Sequence, residues 1–257
     1  MKLQFIRNAS LILELDNKKI LVDPVFSEKF SLDPIPFSND MRNPISDLAD
    51  GFHTYLKDID AVFITHFHED HFDSVAIENI DKDLPIYCQK YDFDNIQNLW
   101  FKNIFSIDET ISIGNITVQR FLASHFHGDT QTPPFGHSSS YFFQTQDKKI
   151  FITWDAILDE KLTKALESTQ PEIIIANLWD CQFSQENPIL SPGKNMTLTN
   201  KEILEIQKNY PSAKIIAIHL DGVNHATVSR EDFIKYVTDN GIQNNFIIPK
   251  NGELIEL

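Results

Sequence analysis

No apolar stretch in these 257 residues approaches the roughly 20 that a membrane-spanning helix requires, so a transmembrane protein is not expected. Cysteine is nearly absent. Cys88 and Cys181 stand far apart, which excludes a disulfide scaffold and leaves two free thiols, read first as small buried hydrophobes and second as reactive groups. Positive charge is also short: 22 Lys and Arg against 37 Asp and Glu give −15, the wrong sign for holding a polyanion by counterion release. Extended nucleic-acid binding is therefore excluded as an expectation. No fixed-period repeat, low-complexity tract or linker-like shift interrupts the chain. G-x-G-x-x-G, the P-loop and G-x-S-x-G are all missing, so dinucleotide binding, P-loop chemistry and serine hydrolysis have no support. The segment Met1–Arg7 lacks the apolar region of a secretory signal, and a cytoplasmic location follows as the expectation.

What is present is globular in character. At 42% hydrophobic, 11% aromatic and 23% charged residues, a chain of this length buries roughly three quarters of its unfolded surface, and a single domain over residues 1–257 is the simplest organisation. Two short apolar runs, Ser10–Leu15 and Lys19–Pro24, flank the turn residues 16–18 and read as a hairpin. Residues 24–53 are aperiodic and carry Phe26, Phe30, Phe37 and Phe52, which fits either a binding lid or a loop packed over an apolar edge. Ala61–Thr65, Pro85–Cys88, Asn115–Leu122 and Ser140–Thr145 read as strands. Lys149–Thr153, Glu172–Ala176 and Lys214–Ile218 are continuous and β-branched, as in strands covered on both faces. Helical spacing at Leu158, Leu162, Ala165 and Leu166, capping-box spacing at Thr199…Glu202 and Ser229…Asp232, and Gly241 at a helix end place helices between these strands. The fold class is α/β, with helices outside the sheets.

The chemistry is concentrated after the Ala61–Thr65 strand, in His66-Phe67-His68-Glu69-Asp70-His71. If the extended conformation continues, His66 and His68, spaced by two, point the same way and both imidazoles reach one cation. Asp70 and His71 then face a neighbouring position. Mixed imidazole and carboxylate donors suit Zn, Fe, Mn or Co better than Mg or Ca.

This H-x-H-x-D-H pattern resembles the signature of the metallo-β-lactamase superfamily, and the resemblance runs over essentially the whole chain. Arg7-Asn8-Ala9-Ser10-Leu11, Leu21-Val22-Asp23-Pro24, Ala217-Ile218-His219-Leu220 and Asn224-His225-Ala226-Thr227 look in particular like the branch related to ascorbate-6-phosphate lactonase. The resemblance implies a four-layer αββα fold, with two mixed sheets sandwiched between helices, and two divalent metal ions, zinc first and manganese or iron as alternatives. It implies His66, His68 and His125 at one site and Asp70, His71 and His219 at the other, with Asp155 shared. His127 is an alternative to His125. It further implies hydrolysis of a small ester or lactone, with Asp70 accepting a proton and the substrate a small molecule, neither nucleic acid nor membrane. A small phosphodiester and a non-catalytic metal-binding role are the alternatives, and a homo-oligomer is left open.

Five residues remain to be placed. His225 is read either as a hydrogen-bond donor to substrate or as a partner of neighbouring backbone. Asp23 is read either as the acid that steadies a ligand histidine through its second nitrogen or as a plain turn residue before Pro24. Trp154 stands where many relatives have glycine, so the turn into Asp155 is expected to differ and the indole to line the pocket. His137 is grouped with His125 and His127 near the site, whereas His53 lies in the long loop. Pocket walls are expected from residues 24–53 and 126–137, and Lys29, Arg42 and Lys194 are the scattered basic candidates nearby.

Overall fold

In the computed structural model, residues 1–126 and 136–257 are described. Three strands open the chain, β1 (Lys2–Arg7), β2 (Ser10–Leu15) and β3 (Lys18–Val22); β4 (Ala61–Ile64) follows the long loop and leads to helix α1 (Ser74–Asn79). Strand β5 (Pro85–Gln89), helix α2 (Phe93–Gln97) and strands β6 (Asn103–Ile107), β7 (Thr110–Ile113), β8 (Ile116–Ala123), β9 (Ser138–Gln144) and β10 (Lys149–Ile152) come next. The chain then alternates: α3 (Glu160–Thr169), β11 (Ile173–Asn177), α4 (Asn200–Asn209), β12 (Lys214–Ile218) and α5 (Arg230–Asp239). Two short strands, β13 (Phe246–Ile247) and β14 (Leu254–Glu256), close it.

The strands form two seven-stranded sheets, ordered β14-β1-β2-β3-β4-β5-β6 and β13-β12-β11-β10-β9-β8-β7. Both are mixed. β3 through β6 run parallel, as do β10 through β13, while hairpin partners run antiparallel. The inner faces meet in one core, in which Leu13, Val22 and Phe63 of the first sheet pack against Tyr141, Phe143, Ile152 and Ile216 of the second. Helices α3, α4 and α5 cover the outer face of the second sheet through Leu162, Leu166, Ile203, Ile206 and Phe233; α1 covers the first through Ala76. These four layers are the αββα arrangement. The β-branched runs in β11 and β12 are explained by it, because both faces of these central strands are buried.

Both capping boxes form, Thr199 with Glu202 and Ser229 with Asp232, and Gly241 takes φ 68° just beyond α5. β1, β6, β7, β13 and β14 are not among the strands expected from sequence. β1 and β7 do alternate, with Leu3 and Phe5 against Lys2 and Gln4 and Ile111 and Ile113 against Thr110 and Ser112, whereas β6 is a half-exposed sheet edge and β13 and β14 are only 2 and 3 residues long, too short for a pattern. Among the described residues, no helix is long and apolar enough to cross a membrane.

Candidate metal centre

Every ligand predicted from sequence lies where a strand of one of the two sheets ends. His66 and His68 follow β4, but the backbone does not stay extended there. It turns at once, with the His68 N–H donating to the His66 carbonyl at 3.1 Å and the Phe72 N–H to the His68 carbonyl at 2.8 Å. The two rings still meet, 4.3 Å apart between centroids, because the turn and not strand alternation brings them to one side. His125 follows β8, Asp155 follows β10 and His219 follows β12, where it holds φ 68° and donates its N–H to the Asn8 carbonyl at 2.8 Å.

Two donor clusters result. His66, His68 and His125 form one, and Asp70, His71, Asp155 and His219 form the other, with donor atoms within 4.8 Å of one another in each. Asp155 stands between them. Its Oδ2 lies 3.6 Å from His125 Nε2, 3.9 Å from His66 Nε2 and 3.3 Å from His71 Nε2. Asp70 Oδ2 lies 3.7 Å from His219 Nε2 and 4.0 Å from His71 Nε2. His127 lies outside the described residues, and His125 occupies the position expected of it. Its Nδ1 is 2.8 Å from the Met196 carbonyl, which orients Nε2 towards Asp155.

A cation fits this donor set. His66 Nε2 and His219 Nε2 are buried with no hydrogen-bond partner, a deficit of about 1–3 kcal/mol each that coordination would remove. Burial and the neighbouring His71 and His68 push His66 well below the ordinary imidazole range, favouring the neutral, ligating form. Burial would raise Asp155 and Asp70, but surrounding imidazoles, His71 foremost, hold both below the usual carboxylate range. Burial lowers His71, yet Asp155, Asp23 and Asp70 together keep it well above the ordinary value. Ionised Asp155 and Asp70 beside a neutral His66 are the forms in which these groups bind a divalent cation.

Residues behind the donors fix their orientation. Asp23 accepts the His71 ring N–H at 2.6 Å and the Thr65 N–H at 2.8 Å, so it is the steadying acid and not a plain turn residue. Asn177, at the end of β11, donates to Asp155 Oδ1 at 2.8 Å and so directs Oδ2 to the donors. Asn8 donates to the Asp70 carbonyl at 2.6 Å, and a Cβ at Gly222 would lie 1.8 Å from its Oδ1. Asn8 lies in the Arg7–Leu11 segment that carries the family resemblance, but nothing there gives it this role; Asn177 carries no motif, and its only sequence signal is position at the end of a strand.

Trp154 differs from expectation. Its indole is fully buried in the core between the sheets and does not line the cavity, while its backbone holds φ 50°, the left-handed conformation that glycine adopts easily. The turn is therefore kept and the side chain is used for packing. His137 also departs from the site: its ring stacks on Tyr91 at 3.7 Å. His53 is exposed.

The donors open onto a cavity of about 340 Å³. Leu32, Asp33, Ile35 and Asn43 of the long loop line it, as expected; residues 127–135 of the second expected wall lie outside the described residues. Sequence reading missed the wall between β11 and α4, where Trp179, Cys181, Phe183 and Met196 face the cavity. Its signal was an aperiodic stretch with Pro188, Pro192 and Gly193 directly after a strand end. Cys181 is buried with its thiol pushed well up, and burial pushes Cys88 up to about 12, so both are inert small hydrophobes. His225 lines the same cavity, edge-on to Trp179 at 4.8 Å, with burial lowering it to about 4. Among the described residues, no Lys or Arg lines the cavity; Arg42 pairs with Asp33 at 2.7 Å and Lys29 with Asp47 at 3.4 Å.

Comparison with known proteins agrees with this architecture. The family described as β-lactamase superfamily domain matches residues 18–220. UPF0173 protein YddR of Bacillus subtilis (strain 168) is 29% identical over 257 residues, covering 98% of both chains. A possible metal-dependent hydrolase from Veillonella parvula DSM 2008 superposes with a TM-score of 0.93 at 30% identity, over 100% of this chain and 99% of that one. An isothiocyanate hydrolase from Delia radicum gut bacteria superposes with a TM-score of 0.92 at 28% identity, over 100% and 99%.

Proposed function

The chain belongs to the β-lactamase superfamily, and from that premise we propose that it hydrolyses a small, uncharged electrophile such as an ester, a lactone or an isothiocyanate. The observation that carries this reading is the pairing of two donor clusters around Asp155 with a cavity that offers apolar side chains and no Lys or Arg in its described lining. Divalent ions, zinc first, would be held by His66, His68 and His125 and by Asp70, His71, Asp155 and His219, where they would supply Lewis acidity and a nucleophile at neutral pH.

The chain's own residues do the rest. Leu32, Ile35, Phe67 and Phe183 bind the apolar body of the substrate and exclude water. Asp70, ionised at neutral pH, takes up the proton released as water adds to the electrophilic carbon. His225, neutral above about pH 5, has an N–H to donate to the heteroatom on which negative charge develops. No Lys or Arg in the described lining offers a partner for a phosphate beyond the divalent ions themselves, so a phosphodiester or a phosphorylated sugar is less well matched to this cavity than a neutral compound. The likeness to an isothiocyanate hydrolase supports the uncharged class, since an isothiocyanate presents an electrophilic carbon with no formal charge.

The test is a rate panel on metal-reconstituted protein with an aryl isothiocyanate, a lactone, an aryl ester, a thioester, a β-lactam and a phosphodiester, with His68→Ala as the blank. Hydrolysis of a neutral substrate that disappears in the blank is expected. A faster rate on the phosphodiester than on every neutral compound would overturn the reading.

A further inference from the structure

Residues 32–43 form an excursion closed by a two-hydrogen-bond bridge: the Leu32 N–H donates to the Asn43 carbonyl at 2.8 Å and the Asn43 N–H to the Leu32 carbonyl at 3.0 Å. Leu32, Asp33, Ile35 and Asn43 of this loop line the cavity in front of the donor clusters. Twelve irregular residues have little reason of their own to hold one conformation, since few backbone groups pair within them. The pairing comes from elsewhere in the chain.

It comes from Asn224, which is 3% exposed. Its side-chain carbonyl accepts from the Ile35 N–H and from Asn43 Nδ2, both at 3.1 Å. Its side-chain amide donates to the Ile35 carbonyl at 3.1 Å and to the Asn39 carbonyl at 2.8 Å. Its own N–H donates to Asn43 Oδ1 at 2.8 Å, and its carbonyl accepts from Asn39 Nδ2. Donors and acceptors of one carboxamide are thus all spent on the loop, a complement that no other residue type of this size provides. A second attachment runs beside it, where the Ser184 and Gln185 N–H groups donate to the Phe37 carbonyl at 3.0 and 3.1 Å and Phe37 packs edge-on against Phe183. The residue following Asn224 is His225.

We propose that Asn224 is a positioning residue that clamps loop 32–43 as the fixed apolar wall of the substrate cavity and holds that wall in register with His225, so that substrate affinity depends on its carboxamide. The role in affinity rests on the reading of the cavity as a hydrolase site; the clamp itself does not. An aspartate at this position keeps the size but loses both donors and sets negative charge against the carbonyls of Ile35 and Asn39. At Asn43, aspartate keeps the acceptor for the Asn224 N–H and sets a carboxylate oxygen against Asn224 Oδ1 and the Asp33 carbonyl, but the hydrogen bonds of Asn224 to Ile35 and Asn39 are left in place. Asn224→Asp should therefore open the clamp, and Asn43→Asp should loosen it by a smaller amount.

The experiment compares full-length wild type, Asn224→Asp and Asn43→Asp by amide hydrogen exchange, metal stoichiometry and steady-state kinetics on an aryl isothiocyanate and a lactone. The amides of Leu32, Ile35 and Asn43 are expected to exchange at least about tenfold faster in Asn224→Asp and by an intermediate factor in Asn43→Asp, with β11 and β12 unchanged and metal content retained. KM is expected to rise about tenfold or more while kcat falls by less. Unchanged loop exchange overturns the clamp. Faster loop exchange with unchanged KM reduces it to a structural tie, and loss of metal or general loosening makes Asn224 a folding residue. If wild type hydrolyses nothing on the panel, the hydrolase reading fails, and the clamp stands or falls on exchange alone.

Discussion

The carboxylate of Asp23 lies 2.6 Å from Nδ1 of His71 and has no exposure to solvent. This contact sets the tautomer: with Nδ1 protonated, the lone pair of Nε2 points to Asp155 and Asp70. Asparagine at position 23 with its amide towards His71 would present a donor to a donor and turn the imidazole to the other tautomer. Asp23→Asn is expected to weaken metal binding at the Asp70–His71–His219 cluster about 10- to 100-fold while the three-histidine cluster keeps its affinity. Chelator competition followed by metal analysis measures this; equal weakening at both clusters would contradict it.

His225 is expected to act without charge. Burial lowers it to about 4, so it is neutral across the range in which hydrolysis would be measured. His225→Phe should lower kcat/KM about 100-fold with metal content unchanged, and the acid limb of the wild-type pH–rate profile should persist in the variant. Loss of that limb on substitution would show that the imidazole titrates during turnover.

Asp92 gives a stability prediction with a definite sign. Burial raises its carboxyl from an ordinary 3.8 to about 6, although a single oxygen accepts from both the Phe67 N–H at 3.0 Å and Gln89 Nε2 at 2.7 Å. The folded state thus binds this proton more tightly than the unfolded chain, so the contribution is fully present below about pH 4 and is lost as pH rises through about 6. The amide oxygen of an asparagine at this position could serve the same two donors without charge. In chelator-treated protein, Asp92→Asn should match wild type below pH 4 and exceed it at pH 7 by up to about 3 kcal/mol, read from denaturant midpoints at the two pH values.

Trp154 carries opposed effects. The indole fills the core between the sheets, and its left-handed φ of 50° costs about 1–2 kcal/mol that glycine would avoid. Removing a buried Trp side chain costs about 3–5 kcal/mol, so Trp154→Gly should be destabilised by a net few kcal/mol while Asp155 keeps its place. A variant that melts at or above the wild-type temperature would show that strain outweighs packing.

Much of this was legible in the chain. His66, His68, Asp70 and His71 could be named in advance from their pattern directly after a buried strand, and His125, Asp155 and His219 from the family resemblance, which asks for further ligands at later strand ends. The α3, α4 and α5 helices announced themselves by cap and period. Local patterning carries such information because it is imposed by the neighbours of each residue along the chain. Residue identity alone did not say that His66 and His68 converge through a turn, that the Trp154 indole points into the core, or that Asn8, Asn177 and Asn224 are the residues that hold ligands and loop in place. Those roles depend on contacts between segments as many as about two hundred positions apart. An asparagine becomes a clamp only when the fold brings unpaired backbone groups within hydrogen-bond reach of it.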